Sequence, residues 1–515
     1  VLARVLGLAI AFALVLAALL VGPLPAMPQT GVAGDFLIRN VAVVDVSSGA
    51  VIPGRDIVVR DGRVDAISAG TAGAGQDDLI VVDGTGKFAI PGLWDMHVHS
   101  LKISPQYTHP LSIANGVTGV REMWGCASVP DSFVACGEDI QRWREGLKTG
   151  RHLAPRYIQR SSFAINGPGG VPAAAPAFFR ARNADEARAL VAHHAGARVD
   201  LLKTYTNLSP DAYGALAAEA PRRGLFLAGH LPVRVPLEQA LAARQRSIEH
   251  PRLFLLECHR DAAAFRALPD PMAAYSSTAV QTALVDEHDP ERCARLMAAM
   301  AASDTWWTPT LQVLRMSALA HDPEFRADPR LRYVPYVIRA GLWDPDADRA
   351  AEHAARGSGR NLRAELYQLA LQNVGQAHAA GVRLVAGTDA GDTYVFPGFA
   401  VHEELAELVR AGLTPADALR SATIDAALFT EADRDYGSIE VGKVADLVLL
   451  EANPLIDIRN TAKITGVILN GQYRDRAALD QLLAFAEKQA GSVRTNLRVI
   501  WGALRSPIVR AQFAD

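Results

Sequence analysis

No Cys-X-X-Cys pair occurs in this chain, and its four cysteines are scattered as Cys126, Cys136, Cys258 and Cys293. Thiolate zinc sites of the paired-cysteine kind are thereby excluded. Runs of one charge are also missing. The formal net charge is −3 with the signs interspersed, which gives no basic footprint for nucleic acid and no acidic tail. No low-complexity segment interrupts the chain, and 50% hydrophobic with 21% charged residues is the balance of a globular protein. At 515 residues the length suggests about three domains, unless a (β/α)₈ barrel of ~250 residues takes up the middle.

Long apolar runs are absent too, with one exception. Arg4 precedes an apolar stretch from Val5 to Val21, followed by Gly22-Pro23-Leu24-Pro25-Ala26. A basic start, an apolar centre and a small residue after a break describe a secretory signal cleaved near Ala26. The run is long for a signal core and slightly short for a membrane span, so an uncleaved anchor stays open beside it. Both predict an exported protein, periplasmic or extracellular, free or membrane-tethered. Cysteine usage agrees. Cys126 with Cys136 and Cys258 with Cys293 is the first choice of three pairings in an oxidising compartment, and buried free thiols are the competing reading.

From Asp35 to Val82 the chain reads as short strands broken by Asp61-Gly62 and Asp83-Gly84, the texture of a small antiparallel sheet. That texture returns only in Gly437–Lys443, Ala445–Leu450 and Ile464–Gly471, which predicts one composite sandwich built from both ends. The middle alternates apolar strands with Ala- and Arg-rich helices. Strands are expected at Ala89–Trp94, Val117–Met123, Arg156–Phe163, Asp200–Tyr205, Leu225–His230, Ser247–His250, Thr305–Leu311 and Arg383–Asp389, with helices such as Ala184–Ala195, Pro210–Ala220 and Arg363–Ala380. Eight strand-then-helix units predict an α/β (β/α)₈ barrel whose site lies where strands run into loops. The expected organisation is a leader or anchor at 1–26, a sandwich half at 34–88 and a barrel at 89–436. The other sandwich half follows at 437–475, then a helical tail at 476–515. Within the tail, Val493–Arg510 mixes apolar and basic residues. It reads either as a membrane-surface or partner helix or as one packed on its own domain or a sister subunit.

Chemistry concentrates at strand ends. His97 and His99 fall one residue apart in Trp94-Asp95-Met96-His97-Val98-His99, so on a strand they share a face. Two imidazoles there suit a divalent transition metal. Lys203 sits inside the apolar run Asp200–Tyr205, His230 and His250 close the fifth and sixth strands, and Asp389 closes the eighth. Singly each has an ordinary reading, as core histidine, snorkelling lysine or helix cap. Their joint placement at one barrel end does not.

These residues carry a resemblance to the amidohydrolase superfamily, in particular extracellular relatives of imidazolonepropionase and metal-dependent prolidases. It runs from about Asp35 onward. It includes Pro91–His99, Leu202-Lys203-Thr204-Tyr205, Gly229-His230, Ser247–His250, Gly387-Thr388-Asp389-Ala390-Gly391, Ala411–Leu419 and Gly442–Val448. The resemblance implies two divalent ions, zinc in most members. His97, His99 and Asp389 would hold the more buried ion, His230 and His250 the more exposed one, and a carboxylated Lys203 would bridge them. It further implies attack by a metal-bridging hydroxide on an amide carbonyl, with Asp389 moving the proton to the leaving amine.

A dipeptide, an Xaa-Pro dipeptide or an N-acyl amino acid is the expected substrate. Cyclic amides, esters, lactones and one-metal deamination are the enzymatic alternatives; a barrel turned binding protein would have lost its ligand residues, and none is missing. Substrate contacts are expected from Tyr205, His402 and Arg121, although a packed tyrosine, a helix-capping histidine and a structural ion pair are their ordinary readings. Trp306 and Trp307 are expected in the core. After the third strand, relatives often carry Gly-Gly-His where this chain has Gly169-Gly170-Val171, which weakens direct transfer of dipeptidase specificity. Partners are a small-molecule substrate, a membrane only through an uncleaved anchor, and a second copy where the resemblance extends to self-association.

Overall fold

The computed structural model describes residues 22–70, 78–126, 130–169, 179–355 and 359–512. Most of the expected leader, residues 1–21, and Gly170-Val171 lie outside them.

Both ends of the chain build one sheet. Its nine strands run in the order Val32–Ala33, Gln472–Asp475, Ile464–Leu469, Leu447–Leu450, Phe88–Pro91, Phe36–Asp45, Ala50–Arg60 and Arg63–Ala69, with Ile80–Asp83 paired to Phe36–Asp45. Alternate residues turn to one side, so Phe36 and Ile38, Ile57 and Val59, and Leu447 and Leu449 share an apolar core. Gly437–Lys443, expected as part of the sheet, forms no strand.

The middle forms the barrel. Leu93–Val98, Val117–Glu122 and Arg156–Arg160 pair in parallel, as do Leu201–Thr204, Phe226–Gly229, Ser247–Glu249 and Trp306–Thr308. Bridges from Ser161 to Leu201, Trp307 to Leu384 and Val98 to Ala390 join these groups through the eighth stave and close the ring. The expected first strand, Ala89–Trp94, is thereby corrected. Phe88–Pro91 belongs to the terminal sheet, the chain crosses at Gly92, and the barrel strand begins at Leu93. A Cβ on residue 92 would meet Thr118 Oγ1 at 2.1 Å, so only glycine fits the crossing. The eighth stave is irregular rather than a full strand, held by bonds such as Met96 N–H to Ala386 O at 2.9 Å.

Disulfides join Cys126 to Cys136 and Cys258 to Cys293. The second clasps the helices inserted after the sixth strand, Arg252–Glu257 through Pro290–Ala301, where sequence patterning suggested a single strand-to-helix step. The tail breaks at Gly491-Ser492 and at Ser506 into helices Arg476–Ala490, Val493–Arg505 and Pro507–Gln512. It packs on the barrel, with Ser506 Oγ donating to Asp131 Oδ2 at 2.7 Å.

Candidate metal centre

His97 is the last residue but one of the strand Leu93–Val98 and His99 follows its end, with ring centres 5.5 Å apart. Alternation aims both at the mouth of the barrel. Across from them Asp389 Oδ1 lies 3.4 Å from His97 Nε2 and 3.1 Å from His99 Nε2. All three atoms are buried and have no hydrogen-bond partner. Buried polar atoms are normally satisfied, and three that face one another make a donor set able to take up a divalent cation.

Outer contacts fix these donors. Glu249 Oε2 accepts from His97 Nδ1 at 2.9 Å, which leaves the Nε2 lone pair facing Asp389. Asp95 accepts from Thr388 N at 3.0 Å and Thr388 Oγ1 at 2.6 Å, locking the first strand to the eighth. Burial raises the Asp95 carboxyl to about 7. Burial pushes His97, His99, His230 and His250 well below the ordinary imidazole range, so these rings are neutral at pH 7, as ligation requires. Asp389 is driven the opposite way, well above the usual carboxylate value, by burial and then by the charge of Asp392. A bound cation would relieve that cost.

His250 stands beside the trio, its ring 4.9 Å from that of His97. Its Nδ1 meets Thr310 Oγ1 at 2.8 Å and its carbonyl accepts from Trp307 Nε1 at 3.0 Å. His250, Thr310 and Asp389 all hold left-handed backbone, with φ of 76°, 43° and 66°. Such strain persists only where the surroundings enforce it, and it gathers at functional sites. His230 lies 4.5 Å from His250, ring to ring, and packs at 4.2 Å against a tilted Tyr205 ring. Its Nδ1 lone pair takes a bond from Arg252 Nη2 at 2.9 Å, so ligation through that nitrogen requires Arg252 to move aside. Lys203 is buried among these groups, and burial lowers its ammonium pKa. Gly229 leaves it room, since a Cβ there would lie 3.1 Å from Lys203 Cγ and 2.5 Å from Thr204 O.

Two expected substrate contacts are corrected. Arg121 is fully buried below the site. It donates to Met96 O at 2.6 Å, to Ser247 Oγ at 2.9 Å and to both Glu249 oxygens at 2.9 Å, so no guanidinium edge is left for a substrate carboxylate. His402 meets Thr461 Oγ1 at 2.9 Å and Asn115 O at 3.0 Å, pinning a barrel helix to the segment that leads into the terminal sheet. Arg121→Met should therefore strand a buried carboxylate and cost about 3–5 kcal/mol of stability. Denaturant unfolding measures it, and an unchanged midpoint would contradict the structural role. Trp307 packs on Phe254 and Trp306 on Phe429, in the core as expected.

Glu249, Asp95 and Arg252 escaped the sequence reading. A signal existed for the first two: Asp95 lies two residues before His97 and so shares its face, and Glu249 is a charge inside an apolar strand.

Residues 364–474 match the model of the Amidohydrolase family. The structure is similar over 93% of this chain to the bottromycin amidohydrolase AH, covering 94% of that chain with TM-score 0.66 and 25% identity. The chain is similar to amidohydrolases both in this C-terminal family match and in its fold. Its fold also matches a Xaa-Pro dipeptidase with methionine bound in the active site, at TM-score 0.59, 19% identity and coverage of 86% of this chain and 100% of that one. Sequence relatives are local. A dihydroorotase of Carboxydothermus hydrogenoformans is 36% identical over 122 residues, 22% of this chain and 26% of its own. An adenine deaminase of Ruegeria pomeroyi is 29% identical over 107 residues, 17% of this chain and 18% of its own. The chain thus spans about a quarter or less of the curated relatives it matches.

Proposed function

We propose that this protein is an exported metal-dependent hydrolase that cleaves the amide C–N bond of a dipeptide, an Xaa-Pro dipeptide or an N-acyl amino acid. The observation that carries this reading is the set of unpartnered donor atoms on His97, His99 and Asp389. His97, His99 and Asp389 would hold one divalent ion, zinc by donor type, and His230 and His250 a second, with Lys203 between them. Ions held there would supply water of lowered pKa and polarise the scissile carbonyl.

The chain's own groups do the rest. Burial favours the neutral Lys203 amine, the form that adds carbon dioxide and releases a proton to become a carbamate with one negative charge shared by two oxygens. Asp389, ionised where a bound cation offsets its burial, can accept a proton and return it to the leaving nitrogen. Burial raises the Tyr205 hydroxyl pKa, so it stays a donor beside His230, where it can bond a substrate oxygen. The Xaa-Pro dipeptidase and the bottromycin amidohydrolase among the structural neighbours support the substrate class. Two disulfides support an oxidising compartment.

One-metal deamination is the second reading. It is favoured by the Arg252 bond that engages His230. Elemental analysis of protein purified without chelator separates the two, with two equivalents expected for the hydrolase and one for the deaminase. Amide hydrolysis in a screen of dipeptides and N-acyl amino acids should vanish on chelation and return with zinc. Hydrolysis that survives complete metal removal would sink the proposal.

A further inference from the structure

Helix Val493–Arg505 packs by one face only. Thr495, Val499 and Gly502 turn inward, and Ser132 Oγ donates to Gly502 O at 2.8 Å. The outer face exposes Val493, Ile500, Trp501 and Leu504, the last two by 42% and 66%. Their spacing follows the helical period, so they form one stripe. Tyr336, 68% exposed, lies alongside, because Val337 N donates to Asn496 Oδ1 of the same helix at 3.0 Å. Single exposed apolar residues are ordinary on any surface, but a contiguous patch marks a contact.

Charge says what kind of contact. Between Glu487 and Asp515 the chain has no acidic residue, and it carries Lys488, Arg494, Arg498, Arg505 and Arg510. The Arg505 guanidinium lies 5.2 Å from the centre of the Trp501 ring. The first described residues, from Gly22, lie at this place. Gly22 O accepts from Arg498 Nη2 at 2.7 Å, and Leu24 packs in the same cluster as Val499.

We propose that this face rests on the surface of a lipid bilayer with anionic headgroups. Trp501, Ile500 and Leu504 enter the interface, and Arg505, beside Trp501, lies over the phosphates. The contact is interfacial: no helix among the described residues is long and apolar enough to cross a membrane. A second copy of the chain is disfavoured, since a two-fold contact would set this basic face against itself.

The test uses the full chain reconstituted in vesicles of phosphatidylcholine and phosphatidylglycerol that contain a dibrominated phosphatidylcholine. Of seven tryptophans, Trp501 is isolated as the difference from Trp501→Phe. Its emission should be quenched by roughly half, and less when phosphatidylglycerol is omitted or salt is raised. Ile500→Asp with Leu504→Asp, both at exposed positions, should lower that quenching several-fold with thermal unfolding unchanged. Two results would overturn the proposal. Trp501 emission that bromolipid leaves intact but iodide quenches would mean a bare face. Emission protected from both quenchers would mean that protein covers it, residues 1–21 or a second copy.

Discussion

Asparagine at position 389 is expected to lower kcat about 10³-fold, within the range that general acid–base groups contribute. Asparagine matches aspartate in shape but cannot take or return a proton, and its amide is a weaker partner for a cation. The same change should not harm the metal-free fold. In the parent, Asp389 Oδ1 and the Nε2 atoms of His97 and His99 are buried without partners, at 3.4 and 3.1 Å from one another across the site. An amide N–H can donate to one of those lone pairs. Thermal unfolding of chelated protein should therefore put the variant at or above the parent, and metal titration should show weaker uptake. A variant that is fully active and binds metal normally would remove Asp389 from the reaction.

Loss of the lysine has the second large effect. Lys203→Ala should lower bound metal from two equivalents to one or fewer and abolish amide hydrolysis, a loss of about 10³-fold or more. Alanine also leaves a cavity at a buried position, so Lys203→Met serves as a control that fills the space without a ligand. Both variants should fold, shown by cooperative unfolding, and both should lose metal together with activity. If Lys203→Met keeps two ions and full turnover, the lysine bridges nothing and its burial needs another explanation.

The parts of the site that were legible in the sequence are those with local meaning. His97 and His99 declared a shared face through one-residue spacing, and Asp389 stood at the end of the eighth expected strand. Strand register was harder. The expected strand Ala89–Trp94 ran through Pro91-Gly92, which proved to be a crossing between two sheets and moved the start of the barrel strand from Ala89 to Leu93. Depth was not legible at all. Arg121 sits at a strand end, as a substrate clamp would. Whether a side chain there points up into the mouth or down into the barrel depends on partners more than a hundred residues away, here Ser247 and Glu249. His402 failed for the same reason, its partners being Asn115 and Thr461. Arg252 could not be foreseen because it acts on His230 across a turn that follows a different strand.

The terminal sheet has a consequence for how the molecule comes into being. Phe88–Pro91 pairs with Leu447–Leu450, and Val32–Ala33 with Gln472–Asp475, so partners emerge from opposite ends of synthesis. Closing such long loops is entropically slow. A nascent chain can assemble barrel units as they appear, but its first strands must wait with open edges until the last ones arrive. Maturation is therefore gated by completion of the chain, and a product that stops short of Asp475 lacks the strands that seal its own beginning.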